Sequence, residues 1–330
     1  MIECIFTIDY EIYGNGEGTL KELVYEPMQK LSEIFDSAGV KFVVFVEAAE
    51  LEQIELFKTD PVINDVKHQV QKLHTNGHEI ALHLHPQWYN ARYENQKWCL
   101  DYTEYNLCKL PEKRIDQIID RSIAYLRNII NKADFTPLSF RAGNWLFQPA
   151  QTTSRILAER GIKIDSSVFK GGVQHQHKLD YRRALENGYY WQFTDDVNVP
   201  DPKGIMLEIP IMTQMIPAME MLTAKRVVMQ QKSFAASQSK KEKLYRIWDY
   251  CRFQYPLKFD FCRMTINELT CMMEKVIKED KRNPLGYKPF VLIGHTKDLV
   301  DFETIVSFLS YLKQKHIKIS TFEEAYEKCI

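Results

Sequence analysis

Short apolar runs alternate with longer amphipathic stretches along most of the chain. The apolar runs are continuous, which is typical of strands that are covered on both faces of a parallel sheet. They lie at residues 4–9, 41–47, 79–85, 138–143, 162–168, 204–212, 290–294 and 317–321. Helical spacing of apolar residues occurs at residues 20–38, 61–76, 111–132, 149–160, 219–254, 264–281 and 302–315. This alternation predicts an α/β protein in which helices connect parallel strands.

The number of predicted strands favours one architecture. About seven strong strands, with helices between most of them, indicate a closed or nearly closed (β/α) barrel, and an open doubly wound sheet is the alternative. A dinucleotide-binding fold is disfavoured, because no G-x-G-x-x-G pattern follows the first strand. We therefore expect a single barrel domain over residues 1–330, with an irregular insertion around 169–203 and a helical insertion around 213–265.

Composition narrows the classes of function. The formal net charge of −1 argues against a broad surface for nucleic acid. No apolar run reaches the roughly 18 residues of a membrane span, and the first residues, MIECIFTIDYE, do not resemble a signal peptide. The seven cysteines are odd in number and contain no C-x-x-C pair, which favours reduced thiols. We therefore expect a cytoplasmic protein.

Ionisable residues stand at or near the ends of six predicted strands. They are Asp9, Glu47, the pair His83 and His85, Arg141, Asp165 and His295. The carboxyl ends of parallel strands form one rim, where active sites of such folds lie. The alternative is that each residue is an ordinary polar strand end that meets solvent. Six strands with this feature favour a common site.

Two pairs have the spacing of metal ligands. His83 and His85 are two residues apart on a strand, so their side chains point to the same face, with Cα atoms about 6.5–7 Å apart. Asp9 and Glu11 are related in the same way. Two imidazoles and two carboxylates suit zinc, and manganese, cobalt and iron are alternatives. The predicted ligands are therefore Asp9, Glu11, His83 and His85.

The remaining residues suggest acid–base chemistry. Asp9, where it is not engaged by the ion, can serve as a general base for an attacking water. Arg141 can orient that carboxylate through a bidentate pair and lower its pKa. His295 can act as the general acid, and Asp165 is expected to pair with it and raise its pKa. The alternative for Arg141 is a structural salt bridge.

Five motifs, taken together, resemble those of the polysaccharide deacetylases, also called the NodB-like or carbohydrate esterase 4 superfamily. The motifs are FTIDYE at 6–11, GHEIALHLHPQW at 77–88, FRAGNW at 140–145, IDSS at 164–167 and LIGHT at 292–296. Their order matches from end to end. FTIDYE and HLHPQW are especially similar to a subgroup placed among cell-surface polysaccharide functions.

The resemblance implies a distorted (β/α)7 barrel and metal-assisted removal of acetyl from an N-acetylated sugar or polysaccharide precursor. It implies that Asp9 is the base and Arg141 its tether. It also implies that Asp165 tunes the acid His295, and that His83 is the first metal histidine.

Two positions depart from the family pattern. Tyr10 follows Asp9 where the family has a second aspartate, so Glu11 is the expected substitute. Gln87 stands where the family has its second histidine, so His85 takes that role. Two other functions remain open: a metal-free carbohydrate-binding protein with this fold, and a glycoside hydrolase that pairs Asp9 or Glu11 with Glu208.

Overall fold

A curled sheet with seven parallel strands forms the centre of the molecule. The computed structural model describes residues 1–221, 253–284 and 286–330. The parallel strands are β1 (Ile2–Tyr10), β2 (Val43–Glu47), β3 (Glu79–Leu84), β4 (Ser139–Ala142), β5 (Ile164–Asp165), β6 (Met206–Glu208) and β7 (Lys288–His295). Their spatial order is β6-β5-β4-β3-β2-β1-β7. Residues Cys4 to Tyr10 of β1 are all buried, which explains why the apolar runs do not alternate with polar residues.

The two ends of this sheet meet. Ile211, just after β6, forms a parallel bridge with Val291 of β7. The backbone N–H of Met212 donates to the Val291 carbonyl at 2.9 Å. Two short strands extend the sheet: Trp191–Phe193 pairs antiparallel with β6, and Lys318–Ile319 lies parallel beside the start of β1. The predicted distorted (β/α)7 barrel is confirmed.

Helices connect the strands and pack around them. They are α1 (Glu26–Ala38), α2 (Ala48–Phe57), α3 (Ile63–Thr75), α4 (Glu112–Ile130), α5 (Gln151–Glu159), α6 (Ile266–Arg282), α7 (Phe302–Gln314) and α8 (Phe322–Cys329). In α1, Met28, Leu31 and Phe35 form the buried face, and Gly39 ends the helix with a φ of +68° that glycine adopts without strain. Within the described ranges, no helix is both long enough and apolar enough to pass through a membrane.

Helices α2 and α8 are absent from the sequence-based prediction. α2 begins directly after β2, and its sequence AAELEQIELF buries residues of several types, including Glu50 and Gln53. An amphipathic stripe is therefore hard to recognise there. α8 follows the final predicted strand and has only eight residues.

The two predicted insertions differ in structure. Around 169–203, short strands and single turns of 3-10 helix replace regular elements, and Trp191–Phe193 joins the main sheet. The described ends of the predicted helical insertion at 213–265 are instead two antiparallel strands, Thr213–Pro217 and Gln254–Lys258, which we call the ribbon. The predicted helix at 219–254 lies almost entirely outside the described residues.

Candidate metal centre

Side chains from β1 and β3 converge at the carboxyl ends of these strands. Oε2 of Glu11 lies 3.0 Å from Nε2 of His85 and 3.5 Å from Nε2 of His83. Glu47, at the end of β2, completes a group in which one ligand atom from each residue lies within 4.8 Å of the others. All four side chains are buried. Asp9 belongs to a second such group, with Glu11 and His295.

The ring of His83 is held in the orientation that a metal ligand requires. Its Nδ1–H donates to the Arg141 carbonyl at 2.8 Å, so Nε2 is the ring nitrogen that faces the carboxylates. Burial lowers the pKa of His83, but the Asp9 and Glu11 carboxylates outweigh burial and raise it to about 9. A dense negative charge therefore surrounds Nε2.

Two amide side chains hold the ring of His85. Nδ1 lies 3.2 Å from Nδ2 of Asn144 and 3.3 Å from Nε2 of Gln87. Oε1 of Gln87 is buried, and no described residue donates a hydrogen bond to it. Half-turns of both the Gln87 and the Asn144 amides would let their oxygens accept from Nδ1–H and free Nε2 for an ion. Gly143 allows this packing, because a Cβ there would lie 2.7 Å from the His85 ring.

Lys297 holds the outer oxygen of Glu11. Its Nζ lies 2.7 Å from Oε1 of Glu11 and 3.1 Å from the Ile12 carbonyl oxygen. Burial raises the pKa of Glu11, but Lys297 and then His85 outweigh it and keep the pKa well below the usual range. Glu11 is thus an anion whose Oε2 is free for the imidazoles. No sequence pattern singles out Lys297, although it stands two residues after His295.

Glu47 has one oxygen that lacks a partner. Its Oε1 caps α2 by accepting from the backbone N–H groups of Ala49 at 3.2 Å and Glu50 at 3.4 Å. Its Oε2 is buried, and nothing in the described part of the chain donates to it. Burial raises the pKa of Glu47 to about 7. A buried, unpaired carboxylate oxygen beside two imidazoles fits a bound cation, so this donor set suits zinc.

The predicted tether between Arg141 and Asp9 is present in the structure. Nη1 of Arg141 lies 2.6 Å from Oδ1 of Asp9, and the guanidinium packs 4.0 Å from the ring centre of Phe45. The contact is single rather than bidentate, because Nη2 binds Oγ1 of Thr7 and Nε binds the Ser166 carbonyl. Burial raises the pKa of Asp9, but Arg141 outweighs it, and the pKa is lowered.

His295 faces Asp9 from β7. Its Nε2 lies 3.5 Å from Oδ2 of Asp9, and Oδ2 of Asp9 is 4.0 Å from Nε2 of His83. On the other side of the ring, Nδ1 lies 3.6 Å from Oδ2 of Asp298, which Arg263 binds at 2.7 Å. Burial lowers the pKa of His295 to about 4, so the imidazole is neutral near pH 7.

Asp165 does not contact His295 among the described residues. Its carboxylate accepts from Oγ of Ser167 at 2.6 Å and shares a hydrogen bond with Glu208. The register explains this difference, because Asp165 pairs with Phe140, one residue before Arg141. Side chains of neighbouring positions leave from opposite faces of a sheet. The pKa of His295 is also lowered, whereas the predicted pairing with Asp165 would raise it.

Solved structures show the same fold. No protein-family model matches the chain, and no curated protein shows significant similarity to it. A structure from Mycobacterium smegmatis, described as a polysaccharide deacetylase, is 14% identical with a TM-score of 0.54, and the match covers 99% of this chain and 89% of that one. A 4-alpha-glucanotransferase from Thermococcus litoralis is 14% identical with a TM-score of 0.53, over 99% of this chain and 38% of that one.

The chain therefore has the distorted barrel fold of the polysaccharide deacetylases, and the resemblance drawn from its motifs is confirmed at the level of the fold. One fold supports several reactions, so the activity has to be argued from the site.

Proposed function

We propose that this protein is a metal-dependent hydrolase that removes acetyl from an N-acetylated sugar or polysaccharide precursor. The observation that carries the proposal is the convergence of Glu11, His83 and His85, with 3.0 and 3.5 Å between Oε2 and the two Nε2 atoms. These three residues would hold the ion, and Glu47 is the fourth donor. Zinc fits this set best, and manganese, cobalt and iron are the alternatives.

Asp9 is proposed as the base rather than as a ligand. Its Oδ1 is taken by Arg141, and its Oδ2 lies nearer to His295 than to His83, at 3.5 against 4.0 Å. This assignment differs from the predicted ligand set by exchanging Asp9 for Glu47.

A divalent ion supplies Lewis-acid polarisation of the amide carbonyl and lowers the pKa of water. The protein supplies the proton path. Asp9, kept ionised by Arg141, accepts a proton from the attacking water at Oδ2. His295 starts neutral, receives this proton at Nε2, and delivers it to the leaving nitrogen as the C–N bond breaks. Acetate and a free amine are the products.

The other two functions have less support. Glu208 faces Asp165 and accepts from the Val168 backbone N–H at 3.2 Å, so it does not form the carboxylate pair with Asp9 or Glu11 that a glycoside hydrolase needs. In a metal-free binding protein, the buried and unpaired Oε2 of Glu47 would have no cation to stabilise it.

We also propose one catalytic domain over residues 1–330, a carbohydrate substrate, and a cytoplasmic location linked to cell-surface polysaccharide synthesis. The described cysteines are free thiols, which supports a reducing compartment.

The test is metal content together with acetate release. Chelator-treated protein is incubated with zinc, manganese or cobalt, dialysed and assayed on N-acetylated oligosaccharides. We expect about one ion per chain and acetate release that depends on it. His68→Ala, which changes an exposed histidine on α3, is the matched control for histidine variants. A protein that retains no ion and releases no acetate would favour the binding protein instead.

A further inference from the structure

An amino group lies next to the proposed centre and is not used by the proposed reaction. Nζ of Lys258 sits 3.0 Å from the ring centre of Trp145 and 4.9 Å from that of Phe169. The Trp145 ring is itself 6.2 Å from the His295 ring, edge to face at 87°. A single aromatic ring therefore separates this cation from the residue that is proposed to protonate the leaving group.

The backbone explains why Lys258 reaches this position. Lys258 is the last residue of the ribbon, and the next residue, Phe259, returns to the barrel wall. The Phe259 N–H donates to the Met212 carbonyl at 2.8 Å, and its carbonyl accepts from the Ile293 N–H at 3.0 Å. Ile293 precedes His295 by two residues, so the end of the ribbon lies at the carboxyl end of β7.

The acids near Lys258 are already paired. Asp260 accepts from the backbone N–H of Arg263 at 3.1 Å and lies 3.7 Å from its guanidinium, and Asp9 is bound by Arg141. Across residues 1–221, 253–284 and 286–330, no carboxylate oxygen lies within 4.0 Å of Lys258 Nζ. The ammonium group rests on aromatic faces and keeps its capacity to donate to an anion.

Two other lysines have the close acidic partner that Lys258 lacks. Lys297 has Glu11 at 2.7 Å, and Lys288 has Asp280 at 2.5 Å. The pKa of Lys297 is raised, because Glu11 and its other acid neighbours outweigh burial. Burial, followed by the Arg263 cation, lowers the pKa of Lys258 to about 7, although the Asp260 and Asp9 carboxylates act in the opposite direction. A half-buried cation without a counter-ion is costly unless a ligand completes it.

We propose that Lys258, with the rings of Trp145 and Phe169, forms a subsite for an anionic group on the sugar that is deacetylated. The rings offer an apolar wall to the sugar, and the ammonium group donates to oxygens of a carboxylate or phosphate. This inference rests on the proposed function and adds the substrate class: an acidic N-acetylated sugar rather than a neutral one.

Calorimetric binding of three probes tests the subsite without turnover. The probes are 2-acetamido-2-deoxyglucose, its 1-phosphate, and the corresponding glucuronic acid. Each is titrated into the full-length protein in chelated and zinc-loaded forms. We expect the wild type to bind at least one charged probe about tenfold or more tightly than the neutral one, in line with one charge-assisted hydrogen bond. The tighter of the two charged probes identifies the anionic group.

Variants assign this preference to Lys258. Lys258→Met should lose the preference and bind the neutral probe as before, and Lys258→Arg should retain most of it. Lys203→Met, at an exposed lysine of the insertion, is the matched control. Lys258→Gln replaces the Met variant if the latter does not fold. Equal affinity of the wild type for all three probes, or an unchanged preference in Lys258→Met, would overturn the subsite.

The same titrations separate this inference from the proposed function. An anionic preference lost in Lys258→Met, with no acetate released by the zinc-loaded protein, supports the subsite and removes the deacetylase. Acetate release from the neutral probe, without any preference for charge, supports the deacetylase and removes the subsite.

Discussion

Lys297 and Glu11 form a buried ion pair between residues 286 positions apart, with Nζ 2.7 Å from Oε1. The pair holds the carboxylate so that its other oxygen, Oε2, faces His83 and His85. Glu11 is one methylene longer than the aspartate of the family pattern and one residue later. A fixed orientation of its carboxylate is what the proposed ligand role of Glu11 requires.

Removal of Lys297 should destabilise the metal-free protein. Lys297→Met leaves the Glu11 carboxylate buried without its cation, which typically costs about 3–5 kcal/mol of unfolding free energy. Added zinc should raise the melting temperature of the variant by more than that of the wild type, because the ion then replaces the missing positive charge. Thermal unfolding with and without zinc measures both effects. Lys313→Met, at an exposed lysine of α7, is the control. A zinc-induced rise in melting temperature that is equal in Lys297→Met and in the wild type would contradict the proposed charge balance.

The ligand assignment predicts a graded series. His83→Ala and His85→Ala should each abolish metal retention, because each removes one of three converging donors. Glu47→Gln should weaken zinc binding about 10- to 100-fold, while Asp9→Asn should keep the ion and lose turnover. Elemental analysis after dialysis and competition with a chelator measure these affinities. Full occupancy in either histidine variant would refute the centre, and loss of the ion in Asp9→Asn would return Asp9 to the ligand set.

His295 should be needed for turnover and not for metal retention. His295→Ala is expected to keep the ion and to lower kcat about 10²- to 10⁴-fold, the usual contribution of a general acid–base group. Metal content and acetate release in the same sample provide the measurement. A variant with unchanged acetate release would exclude His295 from the proton path.

Two aspartates should differ in their effect on the pH profile. Asp298 lies 3.6 Å from Nδ1 of His295, whereas Asp165 leaves from the other face of the sheet. Asp298→Asn should lower the pKa of His295 further and move the acidic limb of the kcat profile to lower pH, with a lower kcat. Asp165→Asn should leave this limb in place. If the acidic limb of the kcat profile moves only in Asp165→Asn, the predicted pairing of Asp165 with His295 would be supported instead.

His78 should make the protein less stable in acid. Burial lowers its pKa to about 4, and the Lys41 cation adds to this, against Asp36 at 3.3 Å. The unfolded chain takes up this proton near pH 6.5, so stability falls as the pH drops from about 6.5 to about 4. Between pH 7 and pH 5 the loss is about 2 kcal/mol. Urea unfolding of the wild type and His78→Asn at both pH values should show a loss that is larger in the wild type by about this amount.

Much of the fold follows from local patterns. Continuous apolar runs identify the strands, and a spacing of two residues places His83 with His85, and Asp9 with Glu11, on one face of their strands. The end of β2 also pointed to Glu47, but its unpaired oxygen depends on how α2 begins. α2 itself has no clear apolar stripe, so the role of Glu47 as its N-cap could not be anticipated.

The sequence by itself determined which residues stand at the strand ends, because side-chain direction along a strand depends only on position. Tertiary structure decided which of them meet. A register shift of one residue moves a side chain to the other face, as for Asp165. Contacts across the chain, such as Lys297 with Glu11 and Lys258 with Trp145, depend on how β7 and the ribbon pack against the barrel, and no local pattern contains that information.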